Sequence, residues 1–402
     1  MTEIPSPRWT FVVALACLSA CDDGTPSAET KLQLSDSAGV RVVELPALEA
    51  LAAPRLPARR IFTSERRGPD LYLPMTGLFL GPDTIVVSDG SELLRLSLSD
   101  THVEKLGRQG EGPGEYMGPN WIQRRPDGGY AVYDAGLLRM TLLSPRFEVE
   151  GTRSYNSGDR VIGLLPLHLA PDTVLWATHG FSNWFHRGEW RDTLPILRMP
   201  APGRTDTAMV VPGPEKRAVR TKLGSLRVPI GFARTAFASG SEVGFVAGAN
   251  DSLRIRSFDG EGRLRLVLRG PAAEAPVSED RRRTWHRAVM DDLPLDRLDV
   301  EREYEKAYAR NTLPAFDGLH LDADGRVWVG AWPDQSAKEK TWFLFGSSGE
   351  LLGTVDLPRR QFPFGMAFPE ILAVHDNRVA VIRTGEWEEE FLDVYEFDTR
   401  WD

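Results

Sequence analysis

Cysteine is almost absent from this chain of 402 residues, which contains two, Cys17 and Cys21. Both lie near the N-terminus, so no disulfide can link distant parts of the body that follows. That body must be held together by its core alone. A chain of this length can bury enough apolar surface for this, because the buried fraction rises with size.

Positive charge is in deficit, and long apolar runs are missing after the N-terminus. The chain has 48 Lys and Arg against 57 Asp and Glu, a formal net charge of −9. This balance argues against a nucleic-acid partner, which would require a basic face. It also argues against broad electrostatic adhesion to anionic lipid.

Motifs for catalysis and metal binding are also lacking. The seven histidines are scattered, and none forms a His-Glu-x-x-His or His-x-His pattern that would predict a zinc site. Gly-x-Ser-x-Gly, the nucleophile motif of many hydrolases, does not occur. The sequence therefore predicts no catalytic residue, metal or cofactor, and gives no positive indication of an enzyme.

The N-terminus has the layout of a secretory signal. Arg8 precedes an apolar run from Trp9 to Ala20, which is shorter than the roughly 20 residues of a membrane-spanning helix. Leu18–Cys21 resembles the bacterial lipobox, in which the cysteine is lipidated. An ordinary signal peptide with an incidental Cys21 is the alternative.

These features predict a signal peptide over 1–20, with Cys21 lipidated. Residues 21–58 are then the lipidated cysteine, a polar flexible tether and an N-terminal segment. We expect an exported protein, lipid-anchored to the bacterial cell envelope through Cys21, with the choice of inner or outer membrane open.

A unit of polar turn and short strand recurs six times. Its turn-plus-strand cores are Gly81–Val87, Pro126–Tyr133, Ala170–Trp176, Ser239–Val246, Asp322–Val329 and His375–Ile382. The spacing, about 45 residues where nothing is inserted, is typical of a four-stranded propeller blade. We predict an all-β fold over 59–402, a six-bladed β-propeller of four-stranded antiparallel blades. An open β-sandwich or a two-domain β protein is the alternative.

Two further features concern closure and decoration of the ring. The sixth unit ends after its third strand, so an N-terminal strand is expected to complete it, either Arg59–Thr63 or Val40–Leu45. The charged segment Val277–Asn311 interrupts the repeat and is predicted to be helical, with Ser278 as N-cap. Our hypothesis is that this insertion caps or gates a binding face.

A glycine-rich segment, Gly107–Tyr116, is the most distinctive in the chain. With Pro126–Asp134 after it, it resembles the NHL-repeat pattern. It is more closely similar to bacterial six-bladed β-propeller lipoproteins, TolB-like in type, that carry a Gly-Glu-Gly-Pro-Gly-Glu loop. The resemblance implies the fold and an envelope location, but no reaction.

We interpret this loop as a structural connection between blades, in which Glu115 pairs with Arg108 or faces solvent. The signature residues are Gly107, Gly110, Gly112, Pro113, Gly114 and Glu115. A phosphate cradle is disfavoured, because the spacing is not Gly-x-Gly-x-x-Gly and no Lys-Ser/Thr or helix follows.

Acidic turns offer a second set of candidates. Asp322–Arg326 resembles the start of a calcium loop but lacks the later ligands, so a β-turn is the preferred interpretation. Asp89, Asp134 and Asp251 lie at the ends of corresponding strands, where turn chemistry explains them.

An aromatic cluster in the third unit is the remaining candidate. Its members are Trp176, His179, Phe181, Trp184, Phe185, His186 and Trp190. Of these, Trp176, Trp184, His186 and Trp190 are possible binding aromatics. The preferred interpretation is that they form core between blades.

Together these features favour an envelope lipoprotein whose propeller is a binding or scaffolding module for a protein or small-molecule partner. A structural role within an envelope complex belongs to the same class. The alternative is a metal-assisted propeller enzyme of the lactonase or lyase kind.

Overall fold

The computed structural model describes residues 32–69, 71–100, 102–155, 164–170, 173–178, 188–201, 204–221, 224–228, 230–291, 310–333, 337–360 and 369–398. The N-terminal part contains β1 (Gln33–Ser37), β2 (Val40–Glu44), a 3₁₀ turn (Leu48–Ala50), β3 (Ala58–Thr63) and α1 (Ser64–Arg67).

Six sheets follow in chain order, and they are the blades of a propeller. Blade one is β4 (Pro74–Gly81), β5 (Thr84–Asp89), β6 (Glu92–Ser97) and β7 (Val103–Lys105). The connection to the next blade contains β8 (Arg108–Gln109) and β9 (Glu115–Tyr116). Blade two is β10 (Pro119–Arg124), β11 (Tyr130–Asp134), β12 (Arg139–Leu143) and β13 (Val149–Ser154).

The third and fourth blades are larger. Blade three is β14 (Leu164–Ala170), β15 (Thr173–Thr178), β16 (Gly188–Ala201), β17 (Arg204–Thr221) and β18 (Gly224–Val228). Blade four is built on β19 (Ala236–Ser241), β20 (Gly244–Ala249), β21 (Ser252–Asp259) and β22 (Leu264–Ala272). The helix α2 (Glu279–Asp291) comes next.

The last two blades complete the ring. Blade five is β23 (Leu319–Leu321), β24 (Val327–Gly330), β25 (Glu339–Phe345) and β26 (Leu351–Pro358). Blade six is β27 (Ile371–His375), β28 (Arg378–Thr384) and β29 (Glu390–Phe397), with β3 as its outer strand. The predicted six-bladed propeller is confirmed.

The core lies between the blades. The second strand of a blade is a short apolar run buried on both faces, as in Thr84–Asp89, because each blade packs against two neighbours. Six apolar clusters each join residues of two adjacent blades, including one between blades six and one. Burial of these faces supplies the stability that no disulfide supplies.

Polar ties connect neighbouring inner strands around the central channel. Gln123 exchanges hydrogen bonds with the backbone of Leu169, at 3.0 and 3.1 Å. His168 Nδ1 lies 2.7 Å from the carbonyl oxygen of Ser241. The backbone N–H of Leu321 donates to Ser239 Oγ at 3.2 Å. The inner strands of blades two to five are thus held in register.

Of the two predicted closing strands, Arg59–Thr63 is the one that closes the ring. β3 pairs antiparallel with β29, from Ala58 opposite Phe397 to Thr63 opposite Asp393. The alternative, Val40–Leu45, is wrong as a closing strand: β2 runs parallel to β22 and, with β1, widens blade four to six strands.

Residues 33–58 therefore belong to the propeller rather than to a tether. Val43 and Leu48 are 0 % and 1 % exposed and pack into the cluster between blades four and five. The sequence predicts a tether and an N-terminal segment over 21–58, with Val40–Leu45 as a possible closing strand, but it does not indicate this apolar docking site.

The helical insertion is present in its first part. Ser278 caps α2, accepting from the Arg281 N–H at 3.2 Å, as predicted. The Val277 N–H donates to the Asn311 carbonyl at 2.8 Å, which joins the two ends of the insertion into a stem. Residues 292–309 of the predicted helical segment lie outside the described residues.

One side of the ring carries all the long connections. Because strands alternate in direction, links from an outer strand to the next inner strand emerge on the same side as links from second to third strands. The Gly107–Tyr116 loop and the helical insertion lie there, and we call this side the insertion face. The β16–β17 hairpin continues on this side beyond the part of β16 that pairs with β15, as far as the pair Gly188 and Ala218. We call this extension the flap.

Candidate functional site

Arg234 lies where the flap, the insertion stem and blade four meet on the insertion face. It directly precedes Thr235 and the inner strand β19, and it is 8 % exposed. Its backbone N–H donates to Glu215 Oε2 of the flap at 2.9 Å. Its Nη2 donates to Thr312 Oγ1 of the stem, whereas its buried Nη1 has no hydrogen-bond partner.

Two ion pairs flank Arg234. Arg191 of the flap grips Asp251 of blade four through both terminal nitrogens, with Nη2 2.6 Å from Oδ2. Arg310 donates to both oxygens of Glu215, from Nη2 and Nε, each at 3.0 Å. These five residues are called the Arg234 cluster, and they fasten the flap to the stem and to blade four.

The pKa shifts in the cluster follow its geometry. Burial lowers the pKa of Arg234 from its ordinary value. Burial alone would raise the pKa of Asp251, but the hydrogen bonds and charge of Arg191 outweigh it and hold that pKa low. The hydrogen bond to Glu215 raises the pKa of Arg310.

Aromatic contacts dock α2 beside this cluster. A Cβ on Gly231 would come within 2.9 Å of the Trp285 ring, so only glycine allows the ring to lie flat on the backbone there. Phe232 packs against Trp285 and Trp332, with ring centroids 6.2 and 5.9 Å apart. The helix thus covers the loop that leads into the inner strand of blade four.

Exposed apolar side chains occupy the insertion face across blades six, one and two. Tyr72, Trp387 and Met117 are 84 %, 83 % and 44 % exposed. Leu71 forms a β-bridge with Glu390, which brings the Tyr72 loop beside the Trp387 turn. We call Tyr72, Met117 and Trp387 the exposed rim.

Carboxylates at strand ends hold the backbone beneath the rim. Asp89 accepts from the N–H groups of Tyr72 and Leu73 at 2.8 and 2.6 Å. Asp134 does the same for Met117 and Gly118, at 2.7 and 3.1 Å. The predicted turn chemistry of these two residues is confirmed.

The third carboxylate of that series has a different role. In blade four it is Asn250 whose side-chain oxygen accepts from the backbone of Thr235, at 2.7 Å. Asp251, one residue later, instead binds Arg191. The prediction that Asp251 corresponds to Asp89 and Asp134 is therefore wrong by one residue. The amide oxygen of Asn250 accepts the backbone hydrogen bond that a carboxylate accepts in blades one and two.

Internal hydrogen bonds close the Gly107–Tyr116 loop. Glu115 accepts from the Gly112 N–H at 2.8 Å and from Arg108 Nε at 2.6 Å, so the predicted ion pair with Arg108 is present. Arg139 donates to the carbonyl oxygens of Glu111, Gly112 and Glu115.

Glycine is required in the same loop for two reasons. Gly110 and Gly114 have φ of +151° and +76°, which side chains disfavour. A Cβ on Gly107 would lie 2.5 Å from the ring of Tyr116, which is fully buried. These contacts support the structural interpretation of the signature residues, with Pro113 within the same turn.

In the acidic turn of blade five, nearby residues of the same blade donate hydrogen bonds to both carboxylate oxygens of Asp322. Asp322 is 2 % exposed; its Oδ1 accepts from the N–H groups of Asp324 and Arg326 at 3.0 and 2.9 Å. Its Oδ2 accepts from Arg326 Nε at 2.6 Å and Trp328 Nε1 at 2.9 Å. The β-turn interpretation is confirmed. Within the described ranges, no group of three or more His, Cys, Asp or Glu is placed to hold a metal ion.

The aromatic residues of blade three do not form one surface. Trp176 is fully buried, and its ring lies 4.9 and 4.7 Å from those of Tyr133 and Tyr155. This burial agrees with the preferred interpretation of core between blades, and it excludes Trp176 as a binding aromatic. Trp190 lies on the flap, and its Nε1 donates to Asp192 at 3.2 Å. The predicted aromatics at 179–187, Trp184 and His186 among them, and also Cys21, lie outside the described residues.

A buried lysine between blades five and six was not anticipated. Lys340 is 3 % exposed, and its Nζ lies 3.0 Å from Asp317 and 2.7 Å from Glu370. It also lies 5.3 Å from the centroid of the Trp342 ring. Burial raises the pKa of Glu370. Its three charges lie far apart in the chain, with Asp317 and Lys340 in blade five and Glu370 before the first strand of blade six, so no local pattern could have indicated this cluster.

In the part of the chain that the structure describes, no helix has the length and apolarity that crossing a membrane requires.

Comparisons of the chain with known proteins found solved structures of low sequence identity and no matching family. No protein-family model matches it, and neither does any of the curated proteins. A protein of Bacteroides fragilis is similar in structure, at 10 % identity over 92 % of this chain and 97 % of that one, with a TM-score of 0.43.

Two further solved structures are similar to the same degree. A member of the duf4221 family from Bacteroides vulgatus has 6 % identity, covers 92 % of this chain and 99 % of its own, and has a TM-score of 0.46. The calcium-binding protein regucalcin of Agrobacterium tumefaciens has 12 % identity, with 88 % and 98 % coverage and a TM-score of 0.41.

Proposed function

We propose that this protein is an exported envelope lipoprotein, anchored through Cys21, whose insertion face binds a protein partner. The observation that carries the proposal is the exposed rim. Among the described residues, Tyr72 and Trp387 are the two most exposed large apolar side chains, and both lie on this face.

Exposed aromatic rings of this kind favour a protein interface. Burying one on binding contributes about 1.5–3 kcal/mol, and tyrosine and tryptophan are enriched among the residues that dominate binding energy. The backbone of Tyr72 is held in place by hydrogen bonds from its N–H to Asp89. Little conformational entropy of the backbone is therefore lost on binding.

The anchor would hold this face near the membrane. β1 begins at Gln33, so about eleven residues separate it from Cys21. Even fully extended, they reach only about 40 Å. We infer that the propeller stays close to the membrane and contacts only partners within that distance of it.

The test is a capture experiment with a soluble Cys21→Ala bait in membranes of the native host. We expect a Tyr72→Ser/Trp387→Ser double variant to lose at least tenfold of a specifically captured partner. Val243→Ser is the matched control, since Val243 is 40 % exposed in a turn on the opposite face. Equal capture by the double variant and the wild type would contradict the proposal.

The alternative, a metal-assisted enzyme of the lactonase or lyase kind, makes a different prediction. Stoichiometric calcium or zinc in the purified protein would favour it over a binding module.

A further inference from the structure

We propose that the Arg234 cluster is a binding site for a carboxylate group, with Arg234 Nη1 as the donor. The proposal stands apart from the exposed rim, which lies on other blades. It begins from one observation: a guanidinium that is 8 % exposed keeps a buried terminal nitrogen with no hydrogen-bond partner. Buried charged donors left unpaired are costly, so native proteins match them with a partner.

The two carboxylates of the cluster already accept hydrogen bonds from other donors. Asp251 uses both oxygens for Arg191. Glu215 uses both for Arg310 and also receives the backbone N–H of Arg234. Neither accepts a hydrogen bond from Arg234 Nη1, which remains without a partner.

Counting charges gives the sign of the missing partner. The cluster contains three guanidinium groups and two carboxylates, an excess of one positive charge. The next acid, Glu189, is 3.1 Å from Arg217 and 3.8 Å from Arg310, and it is partly exposed. A ligand with one negative charge would balance the cluster.

Further unpaired basic atoms lie on α2, whose insertion shares the stem. Arg234 binds Thr312, while Arg282 Nη2 reaches the neighbouring Asn311 side chain at 3.4 Å. Arg282 Nε and His286 Nε2, one helical turn apart, are buried and also have no hydrogen-bond partner. The helix thus adds two buried nitrogen atoms without partners, and one of them belongs to Arg282, whose side chain contacts the stem.

A carboxylate fits this site better than a phosphate. Its single charge matches the excess of one, whereas a phosphate monoester carries nearly two at neutral pH. Charge-assisted bonds between guanidinium and carboxylate are short and directional. The source would be either a small organic acid or the C-terminus of a peptide.

The test compares carboxylate probes with chloride at equal ionic strength, using the folded Cys21→Ala protein. We expect acetate to raise the melting temperature saturably beyond the effect of chloride, and Arg234→Gln to weaken apparent acetate affinity at least tenfold. Arg263→Gln is the control and should change nothing, because Arg263 is an exposed member of a turn ion pair. Equal acetate responses in wild type and Arg234→Gln would overturn the proposal.

Two additions make the outcome decisive. N-acetyl-triglycine and its C-terminal amide distinguish the sources: a peptide site prefers the free acid to both the amide and acetate, and a small-acid site prefers acetate. If Arg234→Gln does not fold, crystals of the Cys21→Ala protein that keeps Arg234 are soaked in acetate instead. Planar density within hydrogen-bond distance of Nη1 supports the site, and a protein atom or chloride there overturns it.

Discussion

Arg60 on the closing strand donates to Asp393 of the adjacent strand at 3.2 Å, across the seam where the chain's two ends meet. The carboxylate is fully buried and also accepts from Arg383 Nε at 2.8 Å. A charged contact between residues 333 apart thus accompanies the main-chain pairing that completes the ring.

Replacing Asp393 is expected to weaken the seam more than replacing Arg60. Asp393→Asn removes the anion that binds Arg60 and one of the two carboxylates that bind Arg383, the other being Glu65. This change should lower the free energy of unfolding by about 3 kcal/mol. Arg60 is partly exposed, so Arg60→Gln should cost about 0.5–1 kcal/mol. Urea unfolding measures both; equal effects would show that the seam does not depend on the buried carboxylate.

Burial of His320 predicts an acid-sensitive propeller. Desolvation on β23 lowers its pKa from 6.5 to about 4. A lowered histidine pKa means that the native state binds fewer protons than the unfolded chain. Stability is therefore retained above about pH 6.5 and is lost as pH falls from there towards 4, on the order of 3 kcal/mol.

The corresponding variant removes that slope. His320→Gln should unfold with a flatter pH dependence between 6.5 and 4 in urea titrations. His102→Gln, in an exposed turn, is the matched control and should keep the wild-type slope. An unchanged profile in His320→Gln would place the acid sensitivity elsewhere.

Docking of α2 should depend on Gly231. A valine there drives its Cβ into the Trp285 ring, so Gly231→Val should release the helix. We expect amide exchange in residues 279–291 to become at least tenfold faster, while the strands of blade one stay protected. Trp285→Ala should have the same effect. Unchanged exchange would mean that other contacts hold the helix.

Gly110 tests the structural interpretation of the glycine-rich loop. Alanine at its φ of +151° would place a Cβ 2.2 Å from Glu115 Oε2. We expect Gly110→Ala to cost about 1–3 kcal/mol in urea unfolding. Gly151→Ala, where a Cβ meets nothing within 4 Å, should cost less than about 0.5 kcal/mol. Similar costs at both positions would contradict the interpretation.

The sequence predicted what depends on local patterning. Buried second strands such as Tyr130–Asp134, the turn at Asp322 and the cap at Ser278 all follow from propensity and turn chemistry. It could not choose between Val40–Leu45 and Arg59–Thr63 for closure, because both are strand-forming and their partners lie more than 200 residues away.

The candidate sites were harder to predict for the same reason. Arg234 meets Thr312 and Glu215 only after two insertions fold together, and an isolated arginine before a strand carries no signal. The core position of Trp176 agrees with the preferred interpretation, but the sequence left binding open because an aromatic side chain in the core and one on a surface have the same local pattern. Exposure of Tyr72 and Trp387 depends on which loops lie over them.

Site-specific photo-crosslinking from position 387 tests the central claim, that the insertion face binds a protein. Benzoylphenylalanine would replace Trp387 in the lipidated protein in its own membrane, and Val243 in the control. We expect a discrete crosslinked species from position 387 that is absent from position 243. The same species from both positions, or none from position 387, would contradict it.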